Sequence, residues 1–343
     1  MVHLRYNYTI EAVAMNLANL TTSEILEGIY ANNVAIVSKA ITIVESTKPQ
    51  HRLIANAIIS GCISKKQDSI RIGITGVPGA GKSTFIEQFG DLITSTGKKV
   101  AVLTIDPSSR RTKGSILGDK TRMQELVKNP NAYIRPSASG SSLGGVTRKT
   151  RESIVILEAA GYDCILIETI GVGQSETAVH DMVDFFLLLK IAGAGDELQG
   201  IKRGIIEMAD AIVITKADGD NIQRAKLAKI EFTRALHMFP PKENGWSPEV
   251  LTCSAIELKG LHEIWELIVT YCNTMKASGH FLNNRRRQNE NWLIQYLEQE
   301  LLSEFYRHPK TMELLPQLKN EVINGNSSPF LAAEKLLKAL KSH

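Results

Sequence analysis

The stretch Ile70-Arg71-Ile72-Gly73-Ile74-Thr75-Gly76-Val77-Pro78-Gly79-Ala80-Gly81-Lys82-Ser83-Thr84 decides the fold. Its first six residues form a short, largely apolar run of strand length. The next nine satisfy G-x-x-x-x-G-K-S/T, the phosphate loop, in the strand–loop–helix context that the motif requires. Glycines let the backbone curl so that its N–H groups point inward at phosphate oxygens, and the helix that follows adds the partial positive charge of its N-terminus. Gly76, Pro78, Gly79, Ala80, Gly81 and Thr84 are the expected cradle. Lys82 is expected to reach the β- and γ-phosphates, and the Ser83 hydroxyl to ligate Mg²⁺.

Working outward, short β-branched runs at 70–75, 100–106, 164–168, 184–190, 211–215 and 250–253 alternate with longer helical stretches. That alternation predicts an α/β domain, a mainly parallel sheet flanked by helices, with strands buried on both faces. Residues 1–66 read as an N-terminal helical extension, with Thr22 and Ser23 as helix starts before Glu24. The nucleotide domain spans 67–280. From 281 to 343 the chain returns to helix, where Trp292, Leu293, Tyr296, Leu297, Leu301, Leu302 and Phe305 make an apolar stripe fit for packing within the chain or a subunit contact.

In open α/β sheets, ligands gather beyond the carboxyl ends of the strands. Asp106 and Glu168 close two of the predicted strands, where a carboxylate can hold Mg²⁺ directly or through water. Gly171, three residues after Glu168, is placed to offer its N–H to a γ-phosphate. After the run 211–215 comes Thr215-Lys216-Ala217-Asp218, which fits N/T-K-x-D. The Asp carboxylate accepts from guanine N1–H and N2–H, while the Lys stem lies along the ring. Adenine lacks that donor pair and leaves the carboxylate unpaired, a loss of about 1–3 kcal/mol. Ser254 and Ala255 end a later strand, from which a backbone N–H can meet guanine O6. These residues point to GTP rather than ATP.

Composition narrows the field. The 343 residues are 43% hydrophobic and 22% charged, and the 40 basic against 36 acidic residues leave a net charge of +4. This excess is too small for the concentrated basic face of a nucleic-acid binder. Arg285-Arg286-Arg287 reads as a solvated linker or helix start rather than a phosphate patch. Cys62, Cys164, Cys253 and Cys272 are far apart and read as buried, reduced residues. No apolar run approaches the roughly 18 residues of a membrane span, and the N-terminus makes a poor signal or transit peptide, so the expected location is the cytoplasm.

With these elements placed, the chain resembles the MeaB/ArgK-type G proteins. These are related to the methylmalonic aciduria type A protein, also labelled LAO/AO transport system kinases, and act as GTPase chaperones of adenosylcobalamin-dependent acyl-CoA mutases. Ile105-Asp106-Pro107-Ser108-Ser109 and the segment from Gly114 to Met123 are similar to the family's first switch. Glu168-Thr169-Ile170-Gly171-Val172-Gly173-Gln174-Ser175-Glu176 resembles its second switch, and the segment from Gly193 to Gly204 its switch III. The resemblance implies a SIMIBI-type G domain that binds GTP and GDP. It implies that Ser83, Asp106 and Glu168 organise Mg²⁺, that Asp119 lies in a catalytic switch, and that Gln199 and Lys202 transmit a partner's effect to the nucleotide. Slow, partner-stimulated GTP hydrolysis, a methylmalonyl-CoA mutase client and a homodimer through 281–343 follow as expectations. Two departures stand out: Arg110-Arg111-Thr112-Lys113-Gly114 replaces the family's Pro-Phe-Thr-Gly-Gly, and Lys190-Ile191-Ala192 lacks a proline before switch III. Two other readings stand as alternatives. One is a kinase of a transport-system binding protein, for which no separate acceptor-activating motif is visible. The other is a nickel-insertion accessory GTPase, which the dispersed His and Cys residues do not favour.

Overall fold

The computed structural model describes residues 20–65, 68–105, 123–136, 143–169, 175–192 and 203–341. Strands β1 (Ile70–Gly76), β2 (Val100–Ile105), β3 (Ala132–Pro136), β4 (Cys164–Thr169), β5 (Phe185–Ile191), β6 (Ala211–Thr215) and β7 (Glu249–Thr252) form one sheet in the order β3-β2-β4-β1-β5-β6-β7. Every pairing is parallel. The expected α/β architecture is therefore present, and six of the strands lie where the sequence places them. The exception is β3, an edge strand only partly buried, whose pairing with β2 runs from Val100↔Ala132 to Thr104↔Pro136.

The helices are α1 (Thr22–Tyr30), α2 (Val34–Glu45), α3 (Pro49–Ser64), α4 (Lys82–Ser95), α5 (Leu143–Ala159), α6 (Ser175–His180), α7 (Arg203–Met208), α8 (Ile222–Leu236), α9 (Leu261–Ala277), α10 (His280–Arg307), α11 (Pro309–Ile323) and α12 (Pro329–Lys341). Helix α1 begins at Thr22, as expected. Thr21 is the N-cap, and Glu24 returns its carboxylate to the Thr21 N–H at 2.7 Å to complete a capping box.

The sheet divides the apolar core into two layers. On one face Phe85 and Phe89 of α4 and Ile264, Trp265 and Ile268 of α9 pack on Ile72, Ile74, Val102 and Leu166. On the other, Ile25, Ile29, Val37, Ile41 and Ile58 from α1–α3 share a cluster with Ile154 and Leu157 of α5 and Leu103, Ile165 and Ile167 of the sheet. Arg135 at the end of β3 ties α2 to the sheet, donating to Glu45 Oε2 at 2.5 Å and to the Ser38 carbonyl at 3.2 Å. All four cysteines are buried and free. Burial pushes the Cys62, Cys253 and Cys272 thiols up to about 12, so they behave as packing residues.

Two compact units divide the chain at 1–286 and 287–343. In the second, Leu318 of α11 and Ala332 and Leu336 of α12 are buried with Phe305, Leu314, Leu315 and Val322 against them. Leu293, Leu297, Leu301 and Leu302 of the expected stripe are exposed. No helix among the described residues is long and apolar enough to cross a membrane.

The amino ends of β1 and β5 carry a buried ionic network, and it corrects the reading of Arg285 as solvated. Arg285 donates from Nε to Asp184 Oδ1 at 2.8 Å and from Nη2 to Asp184 Oδ2 at 2.6 Å and the Ser69 carbonyl at 2.9 Å. Arg71 grips Glu158 through both carboxylate oxygens, at 2.7 and 2.8 Å. Burial pushes the Glu158 carboxyl up. Arg71 by charge and hydrogen bond, then Arg285 and Ser69, outweigh it and hold the group below its usual range. A charge run reads as solvent-facing when its acidic partners lie about a hundred residues away in sequence.

Candidate nucleotide site

The site sits at the carboxyl ends of the parallel strands, with the phosphate loop leaving β1 between β4 and β5. Gly76 ends β1 at φ 154°, and a Cβ there would stand 2.3 Å from the Leu189 carbonyl oxygen. No residue with a side chain fits that backbone, so the loop can turn over β5 only at a glycine. Gly81 begins α4 in the left-handed region, and no side chain caps that helix. Its first-turn N–H groups are thus available to an anion. Pro78, Gly79 and Thr84 are exposed on the loop, while Ala80 is fully buried beneath it.

Lys82 is buried and folds back over its own loop, donating to the Gly76 carbonyl at 2.8 Å and the Val77 carbonyl at 3.2 Å. Burial holds its ammonium below the usual lysine range, against the opposing pull of Glu168 and Glu176. The ammonium is therefore kept beside the cradle by bonds that a phosphate can replace. Across the loop, Ser83 Oγ lies 3.4 Å from Glu168 Oε1 at the end of β4. One hydroxyl and one carboxylate are hard oxygen donors, the set that suits Mg²⁺ with waters and phosphate oxygens completing its octahedron. Among the described residues no group of three or more His, Cys, Asp or Glu gathers as a metal site.

The residues expected to read the base arrive from β6 and β7. Thr215 is buried, and its hydroxyl lies 2.7 Å from the Ala80 carbonyl and 2.9 Å from the Lys190 carbonyl, linking β6 to the phosphate loop and to β5. Lys216 follows with a left-handed backbone, φ 55°. Its Cε lies 3.8 Å from the position a Cβ on Gly81 would take, so the stem runs along the loop. Asp218 accepts a 2.5 Å hydrogen bond from Ser254 Oγ, and the Ala217 N–H reaches the Cys253 carbonyl at 3.0 Å. The two loops are thereby joined. Two backbone hydrogen bonds between Ser254 and Lys259 close the second one, carrying Ala255 beside Ser254.

The structure thus brings together Gly76, Pro78, Gly79, Ala80, Gly81, Lys82, Ser83, Thr84, Glu168, Thr215, Lys216, Asp218, Ser254 and Ala255. Asp106, Asp119, Gly171, Gln199 and Lys202 lie outside the described residues. Sequence reasoning gave no role to Glu176, buried in the first turn of α6 and acting electrostatically on Lys82. Nor did it mark Thr169, whose hydroxyl donates to Thr75 Oγ1 at 2.8 Å and ties the start of the second-switch segment to β1. No local pattern signals either one, because each contact is made between elements.

Comparison with known proteins agrees with this geometry. The family described as "Methylmalonyl Co-A mutase-associated GTPase MeaB" matches residues 37–310. A probable GTPase of Mycobacterium bovis is 48% identical over 304 residues, covering 89% of this chain and 90% of that one. The mitochondrial methylmalonic aciduria type A homolog of Mus musculus is 45% identical over 325 residues, 92% of this chain and 78% of its own. The crystal structure of a LAO/AO transport system kinase superposes with a TM-score of 0.74 at 36% identity, covering 94% of this chain and 98% of that one.

Proposed function

The chain belongs to the MeaB family of methylmalonyl Co-A mutase-associated GTPases, and from that premise we propose that it is a Mg²⁺-dependent GTPase serving an adenosylcobalamin-dependent acyl-CoA mutase. The observation that carries the reading is the meeting, at the carboxyl ends of the strands, of the Lys82 phosphate loop with the Lys216 and Asp218 base-reading loop. The two are joined through the Thr215 hydroxyl and the Ala80 carbonyl at 2.7 Å.

In this mechanism the α4 N-terminus and loop N–H groups receive the phosphates, and Lys82 exchanges the Gly76 and Val77 carbonyls for β- and γ-phosphate oxygens. Asp218, oriented by Ser254, takes the guanine edge, and the Lys216 stem covers the ring. Ser83 and Glu168, with Asp106, would hold Mg²⁺, which when bound neutralises charge on the β- and γ-oxygens. Phosphoryl transfer asks mainly for positioning and charge stabilisation. A lysine brought in only by the partner, Lys202, supplies the second as an arginine finger does. Hydrolysis is accordingly slow alone and faster in the complex, with the mutase's cofactor state gated by the nucleotide. Asp119 and Gln199 act in the same switches.

The exposed aliphatic residues Leu293, Leu297, Leu301 and Leu302 support a homodimer through 281–343. A monomer by light scattering would remove that part.

The test is GTP hydrolysis by purified protein with and without the adenosylcobalamin mutase of the same organism, with ATP as control. GTP-selective turnover that rises with mutase, and that Lys202→Ala leaves at its basal rate, is the expected result. Turnover indifferent to the mutase, or full stimulation of the Lys202 variant, would refute the coupling.

A further inference from the structure

The left-handed backbone of Lys216, φ 55°, is unusual for a long side chain and persists only where its surroundings hold it. The side chain that holds it is Asn221, at the end of the short turn Gly219–Asn221 that leads into α8, beside the Ala217 N–H bond to the Cys253 carbonyl. The Asn221 side-chain amide donates to the Lys216 carbonyl at 2.8 Å, and its backbone N–H donates to the Asp218 carbonyl at 3.0 Å. One residue thus fastens the carbonyls of both base-reading residues. The first bond fixes the peptide that follows Lys216, and therefore the direction in which the Lys216 stem leaves the chain. With it in place the stem lies along the phosphate loop, its Cε 3.8 Å from where a Gly81 Cβ would be. Without it, the peptide keeps only the Ala217 N–H bond to the Cys253 carbonyl at 3.0 Å, and Lys216 relaxes towards the regions an L-residue prefers, turning the stem away from Gly81. Asp218 keeps its own support, the 2.5 Å bond from Ser254.

We infer that Asn221 is a positioning residue for purine-nucleotide binding: by holding Lys216 left-handed it lays the lysine stem where it covers the base. Its side chain acts through Lys216. The inference rests on the reading of residues 215–218 as the guanine loop.

The experiment uses the full chain, with Asn221→Ala and Asn221→Asp, the second keeping the shape and losing the donor. Displacement of a fluorescent GDP by GDP and by ADP gives both affinities for each protein, alongside thermal unfolding and kcat at saturating GTP. The expected result is a GDP affinity lowered about tenfold in both variants. ADP affinity falls by a similar factor, while kcat stays within about twofold and the ligand-free midpoint within about 2 °C. No weakening of GDP, or weakening of GDP with ADP unchanged, overturns the inference while leaving the guanine reading intact. A wild-type protein that does not prefer GDP overturns the guanine reading and this inference with it.

Discussion

Replacing Arg285 with Met tests the buried ionic network, because it keeps much of the side chain's bulk and deletes its charge and donors. Asp184, its main partner, has a side chain only 1% exposed. In the variant Asp184 Oδ1 loses the 2.8 Å bond from Arg285 Nε, and Oδ2 keeps only the Arg71 N–H at 2.8 Å. Removing one member of a buried pair costs about 3–5 kcal/mol, because the remaining charge is left uncompensated in a medium that solvates it poorly. Glu158 retains both hydrogen bonds from Arg71 and the one from Ser69, which places the expected loss near the lower end, about 3 kcal/mol.

The pH dependence has a definite sign. The Glu158 carboxyl is held below its usual range, partly by Arg285. Its contribution to stability is therefore present above the unfolded value of about 4.3 and is lost as the pH falls through the lower folded value. Removing Arg285 shrinks that contribution, so the gap between wild type and variant is widest near neutral pH and narrows below about pH 4. Chemical denaturation followed by circular dichroism at several pH values measures it. Asp184→Asn combined with Arg285→Met keeps an acceptor for the Arg71 N–H and removes the stranded charge, so the double variant recovers more than half of the loss. GDP affinity of the folded variant stays within about twofold, since the network lies at the opposite end of the strands from the phosphate loop. A deficit at pH 7 below about 1 kcal/mol, or one unchanged between pH 7 and about pH 3, would refute the assignment.

Other substitutions probe the site and its supports. Gly76→Ala puts a Cβ 2.3 Å from the Leu189 carbonyl oxygen, so calorimetry is expected to show GDP binding weakened at least about tenfold, with about 1–3 kcal/mol of destabilisation. Lys82→Ala removes a buried ammonium that burial disfavours; GDP binding falls below detection while ligand-free stability stays within about 1 kcal/mol. Arg135→Ala loses the bonds to Glu45 and the Ser38 carbonyl, and hydrogen exchange in α2 should accelerate, with a loss of about 1–3 kcal/mol.

The parts of this protein legible in its sequence are those whose cause is local. A phosphate loop needs its glycines at fixed spacing because φ and close approach are properties of single residues, and Gly76 is the clearest instance. Strands such as β4 and β6, buried along their whole length, read as continuous apolar runs. β3 did not, because Tyr133 and Ile134 are its only buried residues and its strand character comes from pairing with β2. The residues that meet a ligand belong to short motifs, whereas those that hold them reach across the fold: Ser254 to Asp218, Thr215 to Ala80, Arg285 to Asp184. The strand order explains the difference. By setting β1 between β4 and β5, it brings Ser83 and Glu168, 85 residues apart in sequence, to 3.4 Å. Each motif alone specifies a binding element; only the crossover connections make one site of them. Substitutions at Asn221, outside the phosphate loop, are therefore expected to weaken base binding while leaving the phosphate contacts in place.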